Sequence, residues 1–178
     1  MLEREMIDKI KSGDISLFGK LTKEYQNLVF RIAMGYTHNK SDAEDLTQDI
    51  FIKVYQSIHQ FNHQSEFTTW LYRIAVNMSI NYINRNRKFQ LWDSLEHIFN
   101  ISHCDKTPIE DLEISERDEK IKVAIDSLQH SQKTAFILSY YEELSQKQIS
   151  EVMNKSEGAV EQLLQRAKKN LQKKLSHP

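Results

Sequence analysis

Glycine and proline are scarce in this chain, and their scarcity limits the folds open to it. Four glycines and two prolines occur among 178 residues, whereas average usage would give roughly twenty. Sandwiches, barrels and β-meanders need these residues at their many tight turns. The sequence therefore predicts an all-α fold made of long helices with few corners.

The composition is that of a folded, soluble chain. Hydrophobic residues make up 39% and charged residues 28%, and the length fits one or two domains. Cys104 is the only cysteine, which excludes an internal disulfide and fits a reducing compartment. Three acids within the first ten residues argue against a signal peptide, and the longest nearly apolar run, 134–141, is too short to span a bilayer. We expect a cytoplasmic protein without membrane insertion.

Charge is segregated along the chain, although the net charge is −1. Segments 42–49 and 105–119 are acidic, with four acids and no base in the first and seven acids and two bases in the second. Segments 82–90 and 163–178 are basic, with three and five bases and no acid. Basic patches at helix ends are candidate phosphate contacts. The simpler alternative for either patch alone is a solvated helix face.

Apolar periodicity predicts a first helical domain over residues 1–92. Helices over 3–35 are interrupted near Gly13-Asp14, and a helix over 41–60 starts at a capping box formed by Ser41 and Glu44. This second helix buries a stripe with four-residue spacing, namely Leu46, Ile50, Val54 and Ile58. After a polar loop over 61–67, a further helix runs over 68–88.

A second helical domain is predicted over residues 113–178. Residues 93–112 lack clear periodicity and are interpreted as a flexible linker, with a short helix around 92–99. The predicted helices of the second domain cover 113–128, 131–141, 145–153 and 157–175.

The last two helices have helix-turn-helix spacing. Ser145 is the predicted cap of the first, with Gln148 three residues later, Asn154 ends it in the left-handed conformation, and Ser156 caps the second. Side chains near the start of such a helix reach base edges, and bases further along meet phosphates. An ordinary helical hairpin is the alternative, because this pattern gives many false positives.

Taken together, these segments resemble a bacterial sigma factor of the extracytoplasmic-function (ECF) type, in the sigma-70 family. Residues 42–49 (DAEDLTQD) resemble the segment of that family that binds core RNA polymerase, and residues 67–77 (FTTWLYRIAVN) closely resemble the helix that follows it. Residues 84–88 (NRNRK) match its basic cluster, and the helix-turn-helix resembles the domain that reads the −35 element. The resemblance implies core RNA polymerase and promoter DNA as partners, and often an anti-sigma factor. It implies no catalysis, and we expect no cofactor, metal or small-molecule substrate.

Three sets of residues are the predicted contacts. Core polymerase is expected to meet one helix face that carries Asp45, Gln48, Asp49 and Ile52. The −10 element is expected to meet a loop and the polar face of the following helix, namely Phe61, Asn62, His63, Arg73, Asn77, Asn81, Asn84, Arg85 and Lys88. The −35 element is expected to meet Ser156, Glu157, Ala159, Glu161, Gln162, Arg166, Lys168 and Lys169.

Each assignment has a simpler alternative. A solvated face explains the acids of the 41–60 helix but not an exposed Ile52. Phe61 and Phe67 are candidates for stacking an unpaired base, but each ring alone fits an ordinary core. Glu161 is a candidate for accepting from cytosine N4, or it pairs with Arg166 or Lys168 on its own helix. The family usually has an acid at position 81 and bases near 161 and 163, so its −35 preference does not transfer to this chain.

Two other function classes compete with a sigma factor. A helix-turn-helix regulator that does not bind core polymerase explains the second domain but neither the 67–77 run nor the acidic helix. An enzyme lacks support because no Glu-x-x-His pair, His-Glu-x-x-His, Gly-x-Ser-x-Gly or P-loop occurs. His97, His103 and Cys104 lie near one another in sequence and could ligate a metal, but exposed bystanders are the simpler interpretation.

Overall fold

The computed structural model describes the backbone of residues 3–97 and 112–176, and the side chains of residues 3–86 and 118–176. Within these ranges the chain is helical and contains no strand, which confirms the all-α prediction. The helices are α1 (Glu3–Lys11), α2 (Ile15–Thr37), α3 (Lys40–Ser57) with a 3₁₀ turn (Ile58–Gln60), α4 (Phe67–His97), α5 (Leu112–Asp126), α6 (His130–Tyr140), α7 (Gln146–Met153) and α8 (Glu157–Leu175).

Helices α1 to α4 surround one apolar core. The predicted break near Gly13-Asp14 is confirmed: Gly13 has φ +106°, and the Asp14 side chain accepts a hydrogen bond from Ser16 N at the start of α2. L-residues rarely adopt such a φ, so glycine suits this corner. The predicted stripe of α3 is buried, and it packs with α2 and α4 residues such as Ile32 and Leu71.

The predicted capping box at Ser41 is wrong. Helix α3 begins one residue earlier, and Asn39 caps it by accepting a hydrogen bond from Asp42 N at 3.0 Å. Helix α2 ends at His38 in the left-handed conformation, with φ 53°. Asn39 is therefore the first extended residue after α2, and because Asn caps helices as well as Ser does, the helix starts there. Ser41 lies exposed in the first turn.

Helix α4 is longer than predicted. It continues past residue 88 to His97 and so includes the start of the short helix expected around 92–99. Residues 98–111, which make up most of the predicted linker 93–112, lie outside the described residues, as do His103 and Cys104. The domain limits stay predictions.

Helices α5 to α8 form the second group. Their core contains Leu138 of α6, Ile149 and Val152 of α7, and Val160 and Ala167 of α8. The backbone N–H of Leu144 donates to the Leu138 carbonyl at 3.1 Å and closes the turn between α6 and α7. This packing places α7 and α8 as the two arms of the predicted helix-turn-helix.

The two groups of helices pack against each other, an arrangement that the sequence analysis left open. Gly35 of α2 lies under Ile137 of α6, so closely that a Cβ at Gly35 would lie 3.2 Å from an Ile137 methyl. The hydroxyls of Tyr36 and Thr134 are 2.7 Å apart beside this contact. The first domain thus meets the second through tightly packed apolar side chains, and Ile137 of α6 and Val152 of α7 belong to one continuous apolar cluster with residues of α2 and α4.

A polar cluster borders the same interface. Desolvation acts to raise the pKa of the Asp126 carboxyl, but hydrogen bonds from His38 and Lys133 outweigh it and lower the pKa to about 2. His38 belongs to the first group of helices, whereas Asp126 and Lys133 belong to the second. The carboxylate is therefore ionised at neutral pH and holds a contact across the interface.

We expect Asn39→Ala to lower the free energy of unfolding by about 1 kcal/mol, the usual cost of a lost N-cap, and the melting temperature by about 2–4 °C. Denaturation followed by circular dichroism measures both. Ser41→Ala is the matched control because Ser41 lies in the same turn without the capping role. A larger loss for Ser41→Ala than for Asn39→Ala would contradict the assigned cap.

Candidate protein and nucleic-acid interfaces

The acidic face of α3 is open to solvent. Asp45, Gln48, Asp49 and Ile52 are all exposed, and they lie on one side of the helix. Ile52 is 56% exposed although it is a large aliphatic residue. The face therefore offers negative charge around one apolar contact.

An apolar groove that the sequence analysis missed runs beside this face. Helices α2 and α3 form it, and its apolar walls include Ile15, Phe18, Ile52 and Tyr55. The rings of Phe18 and Tyr55 meet edge to face, with centroids 5.0 Å apart. The sequence did carry a signal: Ile15, Phe18 and Thr22 recur at i, i+3 and i+7, a second stripe of α2. The acidic face of α3 and the groove therefore form one surface. Because it includes Ile52 and the groove walls, this surface is larger and more apolar than the acids alone indicate.

Phe61 belongs to the core. Its ring is 4% exposed and packs against Phe67 and Trp70, with centroids 5.6 Å and 5.4 Å away. The Lys11 amine donates to the Phe61 carbonyl and lies over the ring. In this arrangement Phe61 holds the loop in place, which is the alternative that the sequence left open, and its ring has no free face for a base.

The polar part of the same loop faces outward. Asn62 is exposed, and its Oδ1 accepts from Gln64 N at 3.3 Å. The His63 Nε2 lies 2.8 Å from Asp8 Oδ1 of α1, and this hydrogen bond holds the pKa of the Asp8 carboxyl below its usual value. The hydrogen bond to Asp8 thus ties His63 to α1, whereas Asn62 stays exposed.

The predicted nucleic-acid face of α4 is present but partly covered. Asn77, Asn81 and Arg85 are exposed, whereas Arg73 and Asn84 are half-buried. The side chain of Lys88 lies outside the described residues. Asn77 borders a cleft of ≈ 560 Å³ whose other wall consists of the start of α6, the end of α7 and the turn after it, including Met153 and Lys155. The second domain therefore covers this part of α4.

The helix-turn-helix has the predicted local geometry. Ser145 and Gln148 form a reciprocal capping box, with Ser145 Oγ accepting from Gln148 N and Gln148 Oε1 accepting from Ser145 N. Asn154 ends α7 with φ 51°, and Ser156 accepts from Ala159 N at 3.2 Å to start α8. These caps confirm the predicted turn and present the first turn of α8 to solvent.

The exposed face of α8 carries most of the predicted base-reading and phosphate-binding residues. Glu157, Glu161, Gln162, Arg166 and Lys169 are exposed, Ser156 precedes them, and Ala159 is half-buried. Glu161 accepts a hydrogen bond from Gln165 Nε2 at 3.2 Å. Among residues 118–176 no ion pair joins Glu161 to a neighbouring cation, so its second carboxylate oxygen remains available.

Lys168 lies toward a different surface of α8. It lines an apolar groove between α6 and α8, together with Phe136, Tyr140 and Leu171. Tyr140 is 71% exposed there and stacks on Phe136 at 5.3 Å. Lys169 is therefore a better candidate than Lys168 for a phosphate next to Gln162.

None of the described helices is long and apolar enough to cross a bilayer. Within the same residues, no group of three or more His, Cys, Asp or Glu side chains could hold a metal ion.

Two family profiles match the chain. Sigma-70 region 2 matches residues 21–89, from α2 into α4. Sigma-70 region 4 matches residues 118–171, from α5 into α8. The two matches coincide with the two groups of helices and together cover more than half of the chain.

Relatives match over nearly the whole length. The chain is 30% identical to the ECF RNA polymerase sigma-E factor of Haemophilus influenzae, over 98% of this chain and 96% of the relative. It is also 30% identical to the ECF RNA polymerase sigma factor SigW of Bacillus subtilis, over 98% and 97%.

Solved structures show the same fold. CnrH, solved in complex with the cytosolic domain of CnrY, matches with a TM-score of 0.68 at 19% identity, over 98% of this chain and 97% of that chain. The sigma factor RpoE of Bartonella quintana, solved in complex with the anti-sigma factor NepR, matches with a TM-score of 0.63 at 22% identity, over 90% and 97%.

Phe61→Ala should lower the free energy of unfolding by about 3–5 kcal/mol, because it removes a buried ring from a packed aromatic cluster. Urea denaturation followed by fluorescence or circular dichroism measures the change. Gln60→Ala is the control: it alters the exposed neighbouring side chain and should change stability by less than about 0.5 kcal/mol. A near-neutral Phe61→Ala would show that the ring is free, as base stacking requires.

Proposed function

This chain belongs to the ECF sigma factors of the sigma-70 family, and we propose that it binds core RNA polymerase and directs it to promoters by recognising −10 and −35 elements. The observation that carries the proposal is the presence in one chain of both a region 2 and a region 4, with exposed polar faces on α3 and α8 respectively. A helix-turn-helix regulator accounts for α7 and α8 alone and leaves α1 to α4 without a role. We propose no catalytic group in this chain.

The surface proposed for core polymerase is the acidic face of α3 with the groove beside it. Asp45 and Asp49 would face basic side chains, and Gln48 would hydrogen-bond between them. Ile52 and Tyr55, which are 56% and 42% exposed, would bury apolar area in the same contact. A few residues near the centre of such a contact, tyrosine often among them, supply most of its affinity, while the surrounding acids favour a basic partner and speed its association.

The surface proposed for the −10 element is the outer face of α4 and the loop before it. The amides of Asn77 and Asn81 carry both donors and acceptors, so they can pair with the edge of a base exposed when the duplex opens. Arg73 and Arg85 would bind phosphates on either side. Asn62 is the loop residue best placed to join them, with Phe61 acting from the core as its support.

The surface proposed for the −35 element is the start of α8. Glu161 and Gln162 would reach base edges in the major groove, since a carboxylate accepts from cytosine N4 and a glutamine amide pairs with adenine N6 and N7. Arg166 and Lys169, one to two turns further along, would bind phosphates.

We also propose an anti-sigma factor as a partner. The support is the likeness in fold to sigma factors that were solved as complexes, among them RpoE with its anti-sigma factor NepR. The exposed apolar groove between α6 and α8 and the one beside α3 leave surface for such a partner.

The core-binding surface is tested by reversing its charge. We expect Asp49→Arg to weaken capture of the chain by purified core polymerase at least tenfold and to reduce promoter-specific transcription equally, because it places a cation against a basic partner surface. Glu24→Arg makes the same charge change on an exposed part of α2 outside the groove and should leave both measurements unchanged.

These tests need a promoter that the chain recognises. Transcription from genomic DNA with core polymerase, with and without the chain, identifies one from the start sites that appear only when the chain is present.

Full core binding by an Asp45→Arg, Asp49→Arg double variant with an intact helical spectrum would refute the assigned surface. Specific binding of the chain alone to duplex DNA, with no gain from core polymerase, would favour the regulator.

The −35 surface is tested by separating sequence choice from affinity. In a promoter-library selection with holoenzyme, Glu161→Ala should relax discrimination at one −35 base pair by about 1–3 kcal/mol, because a single base contact is lost. Lys169→Ala should weaken all promoters alike and reduce the slope of log affinity against log salt by about one. If Glu161→Ala strengthens all promoters uniformly, Glu161 repels phosphate and reads no base.

A further inference from the structure

Helix α1 is anchored to the rest of the first domain. Three apolar side chains on one of its faces are buried, namely Met6, Ile7 and Ile10. At its start, Glu3 accepts a hydrogen bond from the Tyr25 hydroxyl of α2. A helix anchored in this way gives precise support to a loop that it contacts. The match to sigma-70 region 2 begins only at residue 21, so it assigns no role to α1.

Two polar side chains of α1 contact the loop over 61–66. The Lys11 amine donates a hydrogen bond to the Phe61 carbonyl and lies 5.6 Å from the centre of the Phe61 ring. One turn earlier, Asp8 Oδ1 lies 2.8 Å from His63 Nε2. Phe61 and His63 are the two sequence neighbours of Asn62. Helix α1 therefore contacts the loop on both sides of the residue proposed to join the −10 surface.

The backbone of His63 needs such support. Its φ is 58°, in the left-handed region, where the Cβ of an L-residue crowds the backbone. A residue persists in this conformation only when its surroundings hold it there. The hydrogen bond to Asp8 and an edge-to-face contact with the Phe61 ring, with centroids 4.8 Å apart, leave the His63 side chain 18% exposed.

The position of Asn62 depends on these two contacts. Its side chain is exposed, and its Oδ1 accepts from Gln64 N, which orients the amide and leaves its two N–H donors without a partner among the described residues. A hydrogen bond to a base edge weakens steeply when its donor is misplaced or tilted. A loop released from α1 would therefore lose base contacts without losing any side chain that makes them.

Direct contact with DNA explains Asp8 and Lys11 less well. Phosphates repel a carboxylate, so Asp8 is unsuited to the DNA backbone. Lys11 is half-buried, and its amine is engaged by a carbonyl and a ring of its own domain. Both side chains are thus directed at the loop.

We propose that Asp8 and Lys11 are positioning residues for −10 recognition: they hold the loop so that Asn62 meets one base, and they influence promoter choice without touching DNA. The part about promoters rests on the proposed function, since it takes Asn62 as a −10 contact. The support of the loop by α1 rests only on the geometry.

Each contact is tested by one variant that removes it and one that restores it. Lys11→Met removes the amine and keeps an unbranched side chain, whereas Lys11→Arg keeps a cationic donor. Asp8→Ala removes the acceptor for His63, whereas Asp8→Asn keeps an oxygen acceptor without the charge. Lys9→Met and Glu5→Ala are the matched controls, because they remove the same types of charge from exposed positions of the same helix.

The first measurement is the backbone motion of the loop in the free, full-length chain, by ¹⁵N relaxation. We expect order parameters of about 0.85 for the amides of 62–65 in the parent and the controls, and a fall toward about 0.6 in Lys11→Met and Asp8→Ala. Lys11→Arg and Asp8→Asn should recover part of the loss. An equally ordered loop in the parent, Lys11→Met and Asp8→Ala would overturn the proposal.

The second measurement is a selection from a −10 promoter library with holoenzyme. We expect Lys11→Met and Asp8→Ala to lower discrimination several-fold at the same base position that Asn62→Ala affects, with the salt dependence of binding unchanged. Added to Asn62→Ala, neither variant should lower discrimination at that position further, because a positioning residue acts through the residue that it positions.

Three outcomes of this selection would overturn the promoter part of the proposal. An equal loss on all sequences would show a merely structural role. The same uniform loss with a salt slope reduced by about one would show that Lys11 binds a phosphate. Additive losses in the Asn62→Ala background would show that α1 does not act through Asn62. If no protein, the parent included, supports transcription while loop motion changes as expected, the proposed function fails and the support of the loop by α1 stands.

Discussion

The burial of one apolar stripe by each of α2, α3 and α4 determines where every outward-facing group of the first domain lies. Val29 and Ile32 of α2, Leu46 and Ile50 of α3, and Leu71 of α4 are all buried in one core. Because each helix turns one face to that core, its polar residues must face away from it. The acids of α3 and the asparagines Asn77 and Asn81 of α4 are therefore exposed to solvent on two different helices of the domain. A substitution that rotated one helix would misplace a whole surface rather than a single side chain.

The sequence predicted periodic stripes and isolated helix caps well. It predicted poorly which of two neighbouring candidates caps a helix and whether a ring at the end of a helix is buried. Repeating stripes such as Leu46, Ile50 and Val54 and isolated caps such as Ser145 and Ser156 act within one or two turns, so the sequence alone identifies them. Asn39 and Ser41 are both good caps two residues apart, and the choice between them depends on where α2 ends, at left-handed His38. Phe61 follows a helix and precedes a polar loop, so its pattern fits both an exposed and a buried ring. Only contacts with Phe67 and Trp70 distinguish the two.

The contact between the domains was beyond prediction for a different reason. Glu142 accepts hydrogen bonds from Arg31 and Tyr72, which lie 111 and 70 residues away in the sequence. Charged residues in a turn and on a helix surface are ordinarily solvated, and no periodic pattern marks the exception. The same limit applies to Arg73: its type and position predict an outward-facing cation, but its hydrogen bond to the Glu151 carbonyl depends on the approach of another domain.

The placement of charge has a consequence for how the chain behaves near DNA. Acids are concentrated on α3, bases along α8, and the sum is −1. Duplex DNA is a uniform anionic rod, so it attracts the bases of α8 and repels the acids of α3. We therefore expect the free chain to gain little from sequence-independent attraction to DNA. A basic partner that covers the α3 acids would neutralise their repulsion of DNA. The bases of α8 would then attract DNA without that opposing repulsion. The charge distribution thus makes electrostatic affinity for DNA conditional on assembly.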